Sequence, residues 1–553
     1  MINKSRPALP LRLILLLGTT LLVVLLQTLA LLPNVTTPLE RVEYSARDTL
    51  TRLRGKQETS NNIVIVAIDD FSFNWTGYQW PWPRSYYAHL VRNLKSAGAK
   101  AVGIDIILTG PDPYDPANDE ELRNAIRETG IVVLAGKMDA QQHVYEIKRG
   151  KENYGNQFFD IDSALGLVNI RNDADGVYRR YSPYWEARYA TADGREETTR
   201  VPTFSFAVLN KFLGLPPMTT AENRDGTFLF ANRIIPKYDP SSLLINLYGP
   251  SGTFRRIKFV DVLDDETVTT NEEATTGHAI NTFNDPDFGY QHDGTFKDKI
   301  VLVGSTMPED HDLFPVALAQ PSMHSENLMY GVEIHANVIE SVLRGEFLQR
   351  LPVLFDFLII AFFSYVTFYA TSALRSSRGL RHFVLELVGF LIVAIELIVV
   401  GAMAVLLFTK YNIVMAAVGP MVGIVIAYVA STAYHYVTER KQRLMIKSMF
   451  STYVNPTVVE ELILHPEKLK LGGERKELTV MFADIEGFTT ISERMPSEQL
   501  VSFLNEYFSE MTTIILRSEG TLDKFFGDAI VAFWGAPLPQ EDHALRACLS
   551  ALE

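Results

Sequence analysis

The chain has a single cysteine, Cys548, in 553 residues. No intrachain disulfide can form, so any part facing an oxidising compartment must hold together by core packing alone. An excess of positive charge is also missing. There are 51 Lys and Arg against 65 Asp and Glu, a net −14. That balance argues against a nucleic-acid partner and suits metal-bound substrates or small signals. The stretch after residue 437 has too few apolar positions for a coiled coil.

What the chain does have is length, enough for several domains, and long apolar runs. Residues 11–32, 352–371, 383–408 and 413–437 are each apolar over about the 20 residues that a bilayer requires. Any one alone would also suit a buried core helix, and the first also reads as a signal peptide. Lys4, Arg6 and Arg12 flank the first run with no acid among them. Arg375, Arg378 and Arg381 fill the linker after the second, and Arg440, Lys441, Arg443 and Lys447 follow the fourth. The linker between the third and fourth carries only Lys410. Basic flanks mark the cytoplasmic side. The expected organisation is therefore a cytoplasmic N-terminus (1–10), four transmembrane helices at those positions, an external domain (33–351), a helical connector (438–475) and a cytoplasmic domain (476–553). Asp356, Glu386 and Glu396 fall inside the spans, and Glu396 is the deepest. It suits either a signalling role or a pairing with a polar group on a neighbouring helix.

In the external segment IVIVAIDD (63–70), AVGIDIIL (101–108) and DKIVLVGST (298–306) read as buried strands, and AHLVRNLKSAGA (88–99) as a helix between the first two. This order predicts a parallel α/β sheet. Ligands of such sheets lie at the carboxyl ends of strands. Asp69, Asp70 and Asp105 are there, with Arg84 and His335 as further members of a candidate sensing pocket. Strand-end aspartates more often serve as helix caps and turn formers. Those strands, with WPWPRSYYAHLVRNL (80–94) and YGVEIHANVIESVL (330–343), resemble the second type of CHASE sensor, an extracytoplasmic input domain of bacterial signalling proteins. The resemblance implies a multi-pass protein of the bacterial plasma (inner) membrane that senses an external ligand of unknown identity.

Beyond the spans, residues 434–454 read as a helix, and Asn455-Pro456 starts a second, shorter one. ELTVMFADI then reads as a strand bringing Asp484 to its end, with Gly487 allowing a tight turn in which the amides of Phe488 and Thr489 can face phosphate oxygens. TLDKFFGDAIVAFWG reads as a hairpin turning at Gly527-Asp528. If its first strand lies beside that of Asp484, the two aspartates meet.

FADIEGFT and DKFFGDAIVAFWG resemble the class III nucleotidyl cyclases, of α+β (ferredoxin-like) fold, with a lead-in typical of members joined to this sensor. By that resemblance Asp484 and Asp528, with the carbonyl of Ile485, would hold two Mg2+ or Mn2+ ions. One would activate the ribose 3′-hydroxyl and the other would hold the triphosphate, converting ATP to 3′,5′-cyclic AMP and pyrophosphate. Lys524 stands where the family carries lysine in adenylate cyclases and an acidic residue in guanylate cyclases, which favours ATP; Gly487, Phe488 and Thr489 complete the substrate contacts. The family works as homodimers. Its later base, ribose and phosphate contacts would fall after Glu553. The catalytic domain is thus expected to be present only in part, and the chain as it stands to be inactive. The alternatives are a guanylate cyclase and a non-catalytic membrane sensor or scaffold.

Overall fold

The computed structural model describes residues 11–29, 38–76, 78–137, 140–141, 144–146, 158, 165–190, 196–268, 271–277, 281–308, 312–318, 328–376, 382–450, 475–536 and 539–553. The helix expected after Asn455 lies outside them. The chain divides into two compact units, Met1–Tyr428 and Val429–Glu553.

In the first unit, α1 (Leu11–Leu29) and α2 (Pro38–Arg54) lead into a six-stranded sheet. Its strands are β1 (Ile63–Ile68), β2 (Ala101–Asp105), β3 (Val132–Gly136), β4 (Leu165–Leu167), β5 (Arg255–Lys258) and β6 (Ile300–Ser305). They lie in the order β5-β1-β6-β2-β3-β4, and every pairing is parallel. A parallel sheet covered on both faces wants apolar residues at every position, and all six residues of β1 and of β6 are buried. The alternation of side chains then splits the core in two. Val64, Val66 and Ile68 meet the helices α4 (Arg84–Ser96), which follows α3 (Asp70–Thr76), and α5 (Ala117–Thr129). Ile63 and Ile65 meet α6 (Phe204–Leu213) and α7 (Gly331–Arg344) on the other face.

The helix α6 lies almost on the backbone of the sheet, which small residues there permit. A Cβ on Gly166 would stand 2.6 Å from the Cα of Phe204 and 2.8 Å from the Cβ of Ala207. Because the obstacle is backbone, side-chain rotation gives no relief. Gly166→Ala is expected to destabilise this domain by about 1–3 kcal/mol, the usual cost of overpacking. An unchanged urea midpoint of its tryptophan fluorescence would rule out that close approach.

After α7, the short strand β7 (Gln349–Arg350) leads into α8 (Val353–Ser376) and α9 (His382–Tyr411). A second short strand, β8 (Ile413–Val414), then precedes α10 (Val418–Phe450). Within α8, α9 and α10, the stretches Val353–Arg375, Phe383–Tyr411 and Val418–Gln442 are long and apolar enough to cross a membrane; among the described residues these are three, not the four expected. The first expected span is helical over Leu11–Leu29, and residues 30–37 are outside the described set. The last expected span, 413–437, does not begin as helix. Ile413 and Val414 pair in parallel with Gln349 and Arg350 instead. The turn at Asn412, with φ 55°, sets this up, and the helix starts late enough that Pro420 sits in its first turn, where no intrahelical donor is needed.

Polar side chains inside these helices pair locally. Thr367 Oγ1 donates to Glu396 at 2.5 Å, joining α8 to α9. Glu386 accepts from Arg375 at 2.8 Å and from Tyr428 Oη at 3.1 Å. Gly419 and Gly423, one turn apart on α10, leave room for Gln27 of α1 and Ser364 of α8, whose polar atoms a Cβ at either position would strike.

Candidate active site

The second unit contains a three-stranded antiparallel sheet. Its strands are β9 (Thr479–Ala483), β10 (Thr521–Phe526) and β11 (Ala529–Trp534). The helices α11 (Phe488–Arg494) and α12 (Ser497–Arg517) lie between β9 and β10, and α13 (His543–Leu552) follows. Alternation along β11 buries Ile530, Ala532 and Trp534 fully, and α12 covers them with Ile515 and, half-buried, Tyr507, Phe508 and Met511.

The strand order is β9-β11-β10. It corrects the expectation that β9 lies beside the first strand of the hairpin, since its partner is the second. Ala483 pairs with Ile530. An antiparallel pairing sets the end of β9 against the start of β11, so Asp484, just after one, meets Asp528, just before the other. Gly527 takes the hairpin corner with φ 67°, a left-handed conformation that costs glycine little.

The two carboxyls are within hydrogen-bonding reach, and Asp528 holds that of Asp484 above the usual carboxylate range. Asp528 Oδ2 also accepts the amide of Ile485 at 3.3 Å. Like charges this close repel unless a proton or a cation lies between them. Among the described residues no three His, Cys, Asp or Glu side chains form a metal cluster. Two carboxylates and a carbonyl nevertheless fit a hard divalent ion of the kind that completes its shell with water and substrate phosphate. Tyr507 of α12 faces the same pair; burial, then the two negative charges, pushes its hydroxyl up. Sequence reasoning missed it, because helical spacing marks it only as one of several inward positions.

Gly487, at φ 72°, turns the chain into α11. The amide of Phe488, expected to face phosphate, instead closes this turn by donating to the carbonyl of Ile485 at 3.2 Å. Thr489 follows it in the first turn of α11. Lys524 lies opposite Val531, just after a bulge in β10. Its side chain is 62% exposed and its polar contact is Asp523, at 3.5 Å, not the aspartate pair.

The five residues expected to line a sensor pocket separate. Asp69 caps α3, accepting the amide and hydroxyl of Ser72 at 2.9 and 2.7 Å, and Asp70 is exposed at its first turn. Arg84 is buried in a structural role, bonded to Asp119 and to the carbonyls of Thr109 and Gly110. A helix cap thus occupies Asp69 and a buried tie occupies Arg84.

Only Asp105 and His335 come together, with Nε2 3.9 Å from Oδ2. Tyr181 and Ser205, which sequence reasoning missed, hold Nδ1 at 2.9 and 3.1 Å. Burial lowers the imidazole to about 3, whereas burial and then Asp312 raise the carboxyl of Asp105. The contact therefore joins a neutral ring to an acid that ionises reluctantly. It is not an ion pair.

The two groups act with opposite sign on stability. A lowered imidazole contributes stability that is present above the unfolded value near 6.5 and lost as pH falls toward 3. A raised carboxyl favours the folded state on acidification. His335→Gln is expected to separate them. The variant should gain on the native protein by up to ~1.4 kcal/mol per unit below pH 6.5, read from urea midpoints. A difference that stays flat from pH 4 to 7 contradicts the buried neutral ring.

A family model for the CHASE2 domain matches residues 19–369, well over half of the chain, and one for the adenylate and guanylate cyclase catalytic domain matches residues 473–553. The chain is similar to Adenylate cyclase 1 of Rhizobium meliloti (strain 1021), 40% identical over 106 residues, which is 19% of this chain and 16% of that protein. It is also similar to the crystal structure of the guanylyl cyclase Cya2, at 41% identity over 15% of this chain and 42% of that one, with TM-score 0.15. For the adenylyl cyclase CyaB from P. aeruginosa the values are 43%, 14%, 39% and 0.13. The chain thus spans about a sixth of the length of that curated relative and about two fifths of the two solved chains.

Proposed function

This chain belongs to the CHASE2 family, with an adenylate and guanylate cyclase catalytic domain behind the sensor, and from that premise we propose that the protein is a membrane receptor adenylate cyclase. It takes ATP to 3′,5′-cyclic AMP and pyrophosphate under the control of residues 33–351. The observation that carries this reading is the meeting of Asp484 with Asp528 where β9 and β11 adjoin.

In this reading Asp484, Asp528 and the carbonyl of Ile485 hold two Mg2+ or Mn2+ ions. Such ions supply Lewis acidity toward the ribose hydroxyl and the triphosphate. Asp528 orients the strand end through the Ile485 amide. The turn at Gly487 and the amide of Thr489 receive phosphate, and Phe488 shapes the turn. Lys524 reads the adenine edge. The partner in this reading is a second copy of the protein. The basic flanks support a topology with the N-terminus and residues after 437 in the cytoplasm and the sensor on the other side of the membrane, which in this reading is a bacterial plasma membrane.

The test is a side-by-side assay of the full-length protein in membranes with ATP and GTP, under Mg2+ and Mn2+. Formation of cyclic AMP with clear ATP preference is expected. Preference for GTP would move the reading to a guanylate cyclase, and no cyclic product from either nucleotide would leave a sensor or scaffold.

A further inference from the structure

A helix exposes its first amides without intrahelical partners, and those groups carry partial positive charge. At the start of α10 carboxylates from two other helices receive them. Glu43 of α2 accepts the amides of Ala417 and Val418, one on each oxygen, both at 3.0 Å. Asp356 of α8 accepts that of Ala416 at 3.4 Å. Glu43 is half-buried, and the loss of solvent around its carboxyl pushes it up; the two amides, Arg47 and Arg350 oppose this, and Asp356 faces the same place.

The other side of α2 is fixed to the sensor. Arg179 holds Asp48 with a two-pronged contact, 2.7 Å at each prong, and the same guanidinium binds Asp173 at 3.0 Å and Asp175 at 2.8 Å. Arg54, at the end of α2, donates to the carbonyl of Leu247 at 2.9 Å and to Asn412 at 3.3 Å. Thus one short helix is gripped at Asp48 by the sensor and, through Glu43, grips the first turn of α10, the 33-residue helix that runs on to Phe450.

We propose that α2 is the element that couples the sensor to the last long helix. In this scheme Glu43 is a releasable cap on α10, and its hold depends on the Asp48–Arg179 fork. A displacement of the 173–179 loop shifts α2 and draws the Glu43 carboxylate off the amides of Ala417 and Val418. Both carboxylates are positioning residues. Neither touches the candidate active site.

Hydrogen exchange on the full chain in lipid nanodiscs tests this, whether or not the protein turns over nucleotide. Glu43→Ala is expected to speed exchange of the 415–419 amides about tenfold, which corresponds to ~1.4 kcal/mol of lost cap. The decisive variant is Asp48→Asn, which does not touch those amides. It is expected to speed the same segment at least about threefold while β1 and β6 keep their protection. The double variant should exchange no faster than Glu43→Ala alone. Unchanged exchange at 415–419 in Glu43→Ala removes the cap. Acceleration in Glu43→Ala with none in Asp48→Asn leaves a local contact and overturns the coupling. Should Asp48→Asn also loosen β1 or β6, Arg179→Lys replaces it, since it keeps the charge and loses the fork.

Discussion

Asp528→Ala is expected to lower cyclic nucleotide formation by the full-length protein about a thousandfold. Asp528 is one of two carboxylates at a strand junction, and it also orders that junction by accepting the Ile485 amide. Removing it takes away half of the charge available to a divalent ion. Charge stabilisation by a bound metal is worth several kcal/mol, and each 1.36 kcal/mol is tenfold in rate. Asp484→Ala should lose as much. The double variant should be no worse than either alone, because the two side chains act as a unit. Glu493→Gln, an exposed change on α11, is the control and should keep activity within about twofold. Titration with Mn2+ distinguishes a lost ligand from a damaged fold, since a weakened site is partly restored by more metal. Activity within tenfold of the native protein in either single variant would contradict the shared metal role.

The strands of the sensor sheet are legible in the sequence for a simple reason. β1 and β6 are covered on both faces, so their residues form unbroken apolar runs that no surface element would show. Their neighbours are another matter. β6 inserts between β1 and β2 from some two hundred positions further along the chain. The alternation that fills both faces would be satisfied as well by β1 beside β2, and nothing local distinguishes the two arrangements.

The same limit applies at the candidate site. The turn residues Gly527 and Asp528 announce a hairpin, but which of its strands takes β9 is a long-range choice, fixed by the inward row Ile530, Ala532 and Trp534 on the central strand. Asp69 and Arg84 show the converse limit. A residue type and a strand end suggested ligand binding, while a cap on α3 and a buried tie to Asp119 account for them. The contact of Glu43 with α10 joins positions 374 apart, and had no signal at all.

Lys524→Glu is expected to reverse the choice of base. Lysine offers three donors and no acceptor, and carboxylate the opposite. The ring nitrogen N1 of adenine accepts a hydrogen bond, and the same position in guanine donates one. A bond to a charged group is worth about 1.5–3 kcal/mol, and leaving its partner unpaired costs more. Turnover of ATP, as kcat/KM, should therefore fall about a hundredfold while that of GTP rises or holds. The side chain is 62% exposed and its polar contact is its own neighbour Asp523, so the substitution leaves the fold intact. A loss of ATP selectivity then cannot come from unfolding. Lys524→Met completes the argument. If Lys524 acts through its charge on the triphosphate, methionine and glutamate lower both nucleotides together. If it reads the base, methionine lowers ATP alone, and only glutamate favours GTP. Equal losses for the two nucleotides in both variants would remove Lys524 from base recognition and return the question of substrate to the rest of the pocket.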